Sequence, residues 1–598
     1  MAKHNQPAAD QDWWTIWPEI LNAELAAYAR LEITPRTVHK GNGLLILEAD
    51  WPVHGQSLPT LLRIGYSPLH PFFRPAVAAP NQSFERHQNP FSHELCLLTQ
   101  ELGQWDSNQL VADFIKERLD QLLRVLAARK DGRWDDAAKL EEQAADPLMP
   151  YFAGAAEVDS IILFDGQASL PSGQHGLMQV ACTSRPTRRN GAAFEGVVQQ
   201  LTTSTGAPIG KRFGFPAEPQ DTPVITGRWV KLTPPAMADA GELLRLADEE
   251  LARQAVLQPT SVRKVNETAR GPFSITGIVF PEESEYDVQK NGVGWLFLVT
   301  RRALENEKAG VTETRLVRGE RAGKDDIFSR LPVARSLLTK KALVIGCGAI
   351  GSFAGLELAR AGVGEIGFLD FDTVQPGNSL RWPLGRTVWG NDKAIALANF
   401  IGSNYPWTKA WAAEGRFGAA VTEPVGIPRQ LRNILTPIFD EVRSADVVID
   451  ASASPEVQLA LSYYCRGFRV PYVMGYATLG VAGGVVARFL PESEGCFVCL
   501  QEHWKDKRHI PELRVDDAGV IIPVGCNAPT FTGGGFDLQE ISLEIVRTAV
   551  GLLSEGNYDP GRWDLAVLTL KDDDGGRMLP HWKAFQCPPH PRCCGAAR

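Results

Sequence analysis

The run Ala342-Leu-Val-Ile-Gly346-Cys-Gly348-Ala-Ile-Gly351-Ser352 constrains this chain more than any other stretch. Its apolar start reads as a strand. The glycines, spaced G-x-G-x-x-G, turn the backbone tightly and leave room for a phosphate. Ala349 to Arg360 reads as a helix whose N-terminal N–H groups and positive dipole end face that phosphate. Asp370 lies about 20 residues on, at the end of the next predicted strand, where a carboxylate accepts hydrogen bonds from a ribose. Alone, this pattern describes a nucleotide site and leaves NAD as open as a mononucleotide.

The surroundings extend the pattern. Ala342–Gly346, Glu365–Asp370, Ala445–Asp450 and Pro471–Met474 are apolar strands alternating with helices, which predicts a doubly wound, mostly parallel sheet over about 325–598. The whole chain has 598 residues. At roughly 100–200 residues per domain that is too long for one core. Residues 1–145 read as a separate α+β segment. It opens with a Trp-rich helix over Asp12–Leu31, continues with strands near Gly43–Glu48 and Pro59–Gly65, and closes with an amphipathic helix carrying Leu110, Phe114, Leu119, Leu122, Leu123 and Leu126. Residues 146–324 are β-rich, with one helix over Met237–Leu257 and no chemical motif, and read as a linker domain. The fold class expected is therefore α/β multidomain.

Lys+Arg 61 against Asp+Glu 70 leaves a net charge of −9, which excludes a global electrostatic grip on nucleic acid or anionic lipid. No apolar run approaches the ~18–20 residues of a membrane span, and Met1–Asp12 is polar, so the cytoplasm is the expected location. Six of the ten cysteines fall in roughly the last hundred residues. In a cytosolic chain such a cluster points to metal or thiol chemistry before disulfides.

Beyond the glycines, Leu369-Asp370-Phe-Asp372-Thr-Val374 leads to Asn378, Arg381 and Lys393. This string resembles the ThiF/MoeB-type adenylating enzymes, the family that includes ubiquitin-activating enzymes. The resemblance implies a ThiF-type, Rossmann-like domain that binds ATP and Mg²⁺. Gly346, Gly348, Gly351, Asp370 and Asp372 would shape the site, with Asp370 on the ribose. Asn378, Arg381 and Lys393 would hold the triphosphate, and Arg381 and Lys393 would neutralise charge as a carboxylate attacks the α-phosphate. Asp450 would carry Mg²⁺. The family's second acid three residues later is replaced here by Ala453. The family also uses an arginine ahead of the first strand, often across a homodimer, for which Arg330 and Arg335 are the candidates.

Cys496-Phe-Val-Cys499 is a C-x-x-C, and Cys587, His590, Cys593 and Cys594 stand near the C-terminus. In the family two separated cysteine pairs bind a structural Zn²⁺. The set expected here is Cys496, Cys499, Cys587 and one of the adjacent Cys593 and Cys594. Cys526, in Val524-Gly-Cys-Asn-Ala-Pro529, resembles the loop that carries the family's thioester-forming cysteine. Cys182, Cys347 and Cys465 read as packing residues.

A second thiol centre is expected in the first segment. His87-Gln-Asn89-Pro90 precedes Glu94-Leu-Cys96-Leu-Leu and Trp105, after the Pro-rich loop Tyr66–Pro75. This resembles the ubiquitin-conjugating fold. It implies that Cys96 accepts an acyl group as a thioester, that Asn89 steadies the oxyanion during attack by a lysine amine, and that His87 shapes the loop. Passing an acyl group between thiols is nearly isoenergetic, so activation supplied by ATP survives the transfer.

Together the segments resemble the conjugating–activating fusion proteins of CBASS antiphage operons. That resemblance implies a substrate with an activatable C-terminus, a cGAS/DncV-like nucleotidyltransferase; a dedicated ubiquitin-like protein is the alternative. Neither nucleic acid nor membrane is an expected partner. A nucleotide-binding scaffold without catalysis, which Ala453 favours, and an NAD-dependent oxidoreductase stand as readings from other classes.

Overall fold

The structure is a computed structural model. It describes residues 12–53, 59–84, 86–89, 91–97, 105–140, 152, 160–166, 173–186, 192–210, 212–213, 222–233, 239–254, 273–283, 291–305, 308–415, 417–418, 435–507, 509–516, 520–521 and 530–593. Cys526 and Cys594 lie outside the described residues. The described residues up to Ile327 form one compact unit and those from Phe328 onward another.

In the first unit, β1 (Arg36–Gly41), β2 (Leu44–Trp51), β3 (Thr60–Tyr66) and β4 (Ala76–Ala78) form an antiparallel meander in that order. The helix expected over Asp12–Leu31 is two helices, Trp13–Ile16 and Pro18–Arg30. Pro18 has no N–H to donate, so it starts the second helix instead of continuing the first. The helix Val111–Lys130 buries Phe114, Ile115, Leu119, Leu122 and Val125, a three-to-four spacing on one face. That face completes a core with Trp13, Tyr28, Leu62, Ile64 and Tyr66.

The same unit holds a second sheet of eight strands in the order β5-β12-β11-β10-β9-β6-β7-β8. They are β5 (Ile161–Phe164), β6 (His175–Pro186), β7 (Ala192–Thr202), β8 (Pro208–Ile209), β9 (Val224–Lys231), β10 (Phe273–Glu283), β11 (Asn291–Glu305) and β12 (Lys308–Arg321). Because β5 pairs with β7 as well as β12, all but β8 close into a ring. Met178, Val180, Cys182, Trp229, Trp295 and Phe297 fill one side of this barrel wall. On the other side the helix Ala240–Arg253 covers Val230, Ile278, Phe280 and Leu296 with Leu243, Ala247 and Leu251.

The second unit is built on one sheet in the order β15-β14-β13-β16-β17-β18-β21-β22. Its strands are β13 (Lys341–Ile345), β14 (Glu365–Asp370), β15 (Lys409–Glu414), β16 (Val447–Asp450), β17 (Tyr472–Ala477), β18 (Gly483–Phe489), β21 (Leu565–Lys571) and β22 (Arg577–Phe585); the short pair β19 (Val520–Ile521) and β20 (Thr530–Phe531) stands apart. The first five in spatial order are parallel and the rest antiparallel. Side chains alternate across β13. Ala342 and Val344 pack with the helices Gly351–Arg360, Lys393–Asn404 and Gly535–Leu553, while Leu343 and Ile345 face the opposite core with Leu461 and Cys465. Burial on both faces accounts for the unbroken apolar runs in the sequence. The strand order reverses at β13, with β14 on one side and β16 on the other. A crevice forms at the carboxyl ends of strands at such a reversal.

Candidate active site

The glycine loop occupies that crevice. Gly346 sits at φ +86°, and a Cβ there would lie 2.6 Å from the Ser452 backbone nitrogen. A Cβ on Gly351 would meet the Gly346 carbonyl oxygen at 1.9 Å, whereas one on Gly348 would meet nothing within 4 Å. Two glycines are therefore required by the turn itself, and the third leaves open space. The loop is held from outside. The Cys347 N–H donates to Asp370 Oδ2 at 2.6 Å, and Trp382 Nε1–H donates to the Cys347 carbonyl at 2.8 Å. Sequence reasoning missed Trp382, although it directly follows Arg381.

A cavity of about 220 Å³ opens beside Gly348. Its wall includes Asn378, Arg381, Trp382, Lys393, Ala453 and Leu538. Residues singled out from separate parts of the sequence thus converge. The tight helix Pro376–Leu380 presents Asn378 and Arg381; Asn378 Oδ1 accepts from the Gln375 N–H at 2.9 Å, fixing the turn. Lys393 begins its helix, is nearly buried and pairs with Asp372 Oδ2.

The carboxylates behave differently. Asp370 also accepts from the Asp372 N–H at 2.8 Å, and burial raises its pKa. It organises the loop rather than lining the cavity. Asp450 is fully buried. It accepts from the Ser452 N–H at 2.9 Å and from the Tyr472 hydroxyl at 2.9 Å, and burial pushes its carboxyl to about 6. Ala453, at φ +55°, offers no ligand. Among the described residues on the cavity wall there is no carboxylate. This donor set does not fit a Mg²⁺ held by protein acids there. Arg330 and Arg335 are exposed ahead of β13 and do not line the cavity.

The cysteines near the C-terminus converge in the same unit. Cys496, Cys499 and Cys593 place their sulfurs within 4.8 Å of one another. The His590 N–H donates to Cys499 Sγ at 3.3 Å, as amide groups do to metal-bound thiolates. His590 itself holds Asp506 at 3.0 Å. The Cys587 sulfur lies close by, 3.3 Å from where a Cβ on Gly495 would stand, but outside that group of three. Three converging thiols fit a tetrahedral Zn²⁺ that needs one further ligand. Cys347 and Cys465 are fully buried, and burial pushes the Cys465 thiol to about 12.

In the first unit, Cys96 and Asn89 line a cavity of about 230 Å³ with Arg74, Pro75, Glu94 and Phe114. Cys96 is partly exposed. Its N–H donates to the His87 carbonyl at 2.7 Å, and the Asn89 N–H donates to the Glu94 carbonyl at 2.7 Å. Asn89 Oδ1 accepts from the N–H groups of Phe91 at 2.8 Å and Ser92 at 3.1 Å, which closes the turn. His87 is buried at φ +58°, off the cavity wall. A non-glycine residue in that region costs of order 1 kcal/mol and persists only where its surroundings hold it. Trp105 donates to the Pro71 carbonyl at 2.9 Å and so fastens the Pro-rich loop. Cys182 is buried in the barrel core.

The fold and the glycine site define a nucleotide-binding α/β unit, and comparison with known proteins agrees: residues 323–554 match the ThiF family. Over its whole length the chain belongs to the family of "Uncharacterized protein y4oA" of Sinorhizobium fredii, with 44% identity covering 99% of each protein. It is also similar to "ATP-dependent ubiquitin transferase-like protein Cap2" of Enterobacter hormaechei subsp. hoffmannii, at 27% identity over 38% of this chain and 35% of that protein. "Sulfur carrier protein ThiS adenylyltransferase" of Escherichia coli matches at 28% identity over 33% of this chain and 71% of that protein. Among the described residues no helix is long and apolar enough to cross a membrane.

Proposed function

We propose that the protein is an ATP-dependent conjugating enzyme in three parts, with a ThiF-type, Rossmann-like domain from about residue 325, a linker barrel before it, and a ubiquitin-conjugating-like domain over about 1–145. The observation that carries the reading is the convergence of Gly348, Asn378, Arg381 and Lys393 on one cavity. The triphosphate of ATP lies against Gly348 and the N-terminus of the helix Gly351–Arg360. A carboxylate oxygen from the C-terminus of a partner protein attacks the α-phosphorus, the bond to the β-phosphate oxygen breaks, and pyrophosphate leaves. Arg381 and Lys393 neutralise the charge that builds on the phosphoryl oxygens.

The Cys526 thiolate then attacks the acyl carbon and AMP leaves. The acyl group passes to the Cys96 sulfur by thioester exchange, returning the Cys526 thiolate. A lysine amine of the target attacks the Cys96 thioester and loses its proton, and the Cys96 thiolate leaves. Asn89, on the same cavity wall as Cys96, steadies the oxyanion, and His87 holds the loop through its carbonyl. Zn²⁺ on Cys496, Cys499, Cys587 and Cys593 fastens the C-terminal segment to the helix Phe497–Asp506. The substrate is a cGAS-like nucleotidyltransferase or a ubiquitin-like protein, the assembly a homodimer, and the location cytoplasmic. The similarity to Cap2 supports this reading.

ATP–pyrophosphate exchange that depends on a partner's C-terminus tests it. A second reading, a nucleotide-binding scaffold without catalysis, draws on Ala453 and the fully buried Asp450. ATP binding with no exchange under any partner decides for that reading and against the first.

A further inference from the structure

We infer that Glu283, at the end of β10 in the barrel, is a positioning residue for the Cys96 centre, so that the linker barrel forms part of that centre. The inference rests on the reading of Cys96 as an acyl acceptor, but its geometry is independent of it. Arg86, only 4% exposed, pairs with Glu283 across 197 residues of sequence. Arg129, on the helix that closes the first core, reaches the same carboxylate at 3.7 Å. Both arginines are largely desolvated, and both direct their charge at this acid.

Arg86 is bonded directly to His87. His87 holds a left-handed backbone that an ordinary residue does not favour, and its carbonyl receives the Cys96 N–H at 2.7 Å. The path from the barrel to the thiol is thus Glu283, Arg86, the strained His87 peptide and Cys96. A second tie runs alongside it. Phe91, in the turn closed by Asn89, meets Phe152 edge-on at 4.9 Å, and Phe152 lies in the core between the barrel and its covering helix. Gln88 anchors the other side, its amide donating to the Gln82 carbonyl at 2.9 Å. The loop is thus held from the barrel as well as from its own segment, and the barrel contacts include a charge pair. Loss of Glu283 removes the carboxylate on which Arg86 and Arg129 both converge. The Arg86 guanidinium then shifts, and the His87 peptide relaxes with it.

The test uses the full chain with Glu283→Gln, Arg86→Gln, the double variant and Glu283→Asp. Alkylation by iodoacetamide is followed at Cys96 and at Cys182 by peptide mass spectrometry, and needs neither ATP nor a partner. The expected result is a rise in Cys96 alkylation on the order of tenfold in either Gln variant. The double variant should be no faster than a single one, Glu283→Asp should lie near wild type, and Cys182 should stay protected in every case. Unchanged Cys96 alkylation overturns the inference. So does a parallel rise at Cys182, because the pair would then merely hold the barrel closed. Failure of the conjugation reading shows separately, as wild-type protein that forms no ATP-dependent adduct while the alkylation ratio still reports on the loop.

Discussion

Lys393 is clamped to Asp372 at both ends: its ammonium rests on Asp372 Oδ2, and its backbone N–H donates to the Asp372 carbonyl at 3.0 Å. The charge that faces the cavity is therefore held in place before any nucleotide arrives. A preorganised cation stabilises developing charge without reorganising at the moment of reaction.

Lys393→Met and Arg381→Ala should each reduce ATP–pyrophosphate exchange by about 10²–10³-fold. For Lys393→Met folding should change little. The Asp372 side chain is 43% exposed and can turn to water when Lys393 is lost, which costs at most about 1 kcal/mol. Exchange kinetics beside thermal melts separate the two effects.

The glycines should divide into two kinds. Gly351→Ala places a Cβ at 1.9 Å from a carbonyl oxygen, and should destabilise the unit by roughly 2 kcal/mol or more. Gly348→Ala meets nothing within 4 Å. It should melt within about 0.5 kcal/mol of wild type yet weaken ATP binding about tenfold or more, because the methyl occupies the phosphate's approach. Calorimetric titration with ATP and a melting curve on each variant check this.

Much of this site was legible in the sequence because it is local. Strand, glycine turn and helix follow one another between Ala342 and Arg360, and burial on both faces writes the strands as apolar runs. Asp450 was not legible in this way. Its role depends on Tyr472, 22 residues on in the neighbouring parallel strand. An Asp at a strand end looks the same in sequence whether it faces a cation or is capped by a hydroxyl. The Arg86–Glu283 pair is further beyond reach, since no spacing rule links residues 197 apart. Pro18 is a local signal that the single helix expected over Asp12–Leu31 passed over: its missing N–H starts the second helix.

Asp450 gives a pH dependence. Burial raises its carboxyl from the ordinary 3.8 to about 6. At pH below about 4 it is protonated both folded and unfolded. Between about pH 4 and 6 the unfolded chain ionises first, so stability falls by about 3 kcal/mol and then levels off. Asp450→Asn, which retains an acceptor for the Ser452 N–H, should lack that fall. Denaturant melts at pH 4, 5, 6 and 7 should show the variant gaining on wild type up to pH 6. A constant difference contradicts the assignment.

The thiol cluster should bind one Zn²⁺ per chain in metal analysis. Cys496→Ser, Cys499→Ser or Cys593→Ser should each lose it and lower the melting temperature. Structural zinc contributes about 10 kcal/mol or more in isolated small sites, so chelation of wild type should reproduce the loss. Full zinc retention in all three variants contradicts the site. Comparing Cys587→Ser with Cys594→Ser then identifies the fourth ligand.

The central claim is that two thiols carry one acyl group in turn, and intact-mass analysis of the full chain, purified with ATP from cells that naturally make it, tests this most directly. The account predicts an ATP-dependent, thiol-reducible adduct that gathers on the second unit in Cys96→Ala. It becomes a stable ester at residue 96 in Cys96→Ser and is absent from Cys526→Ala. Conjugated product formed at the wild-type rate with both cysteines replaced would contradict it.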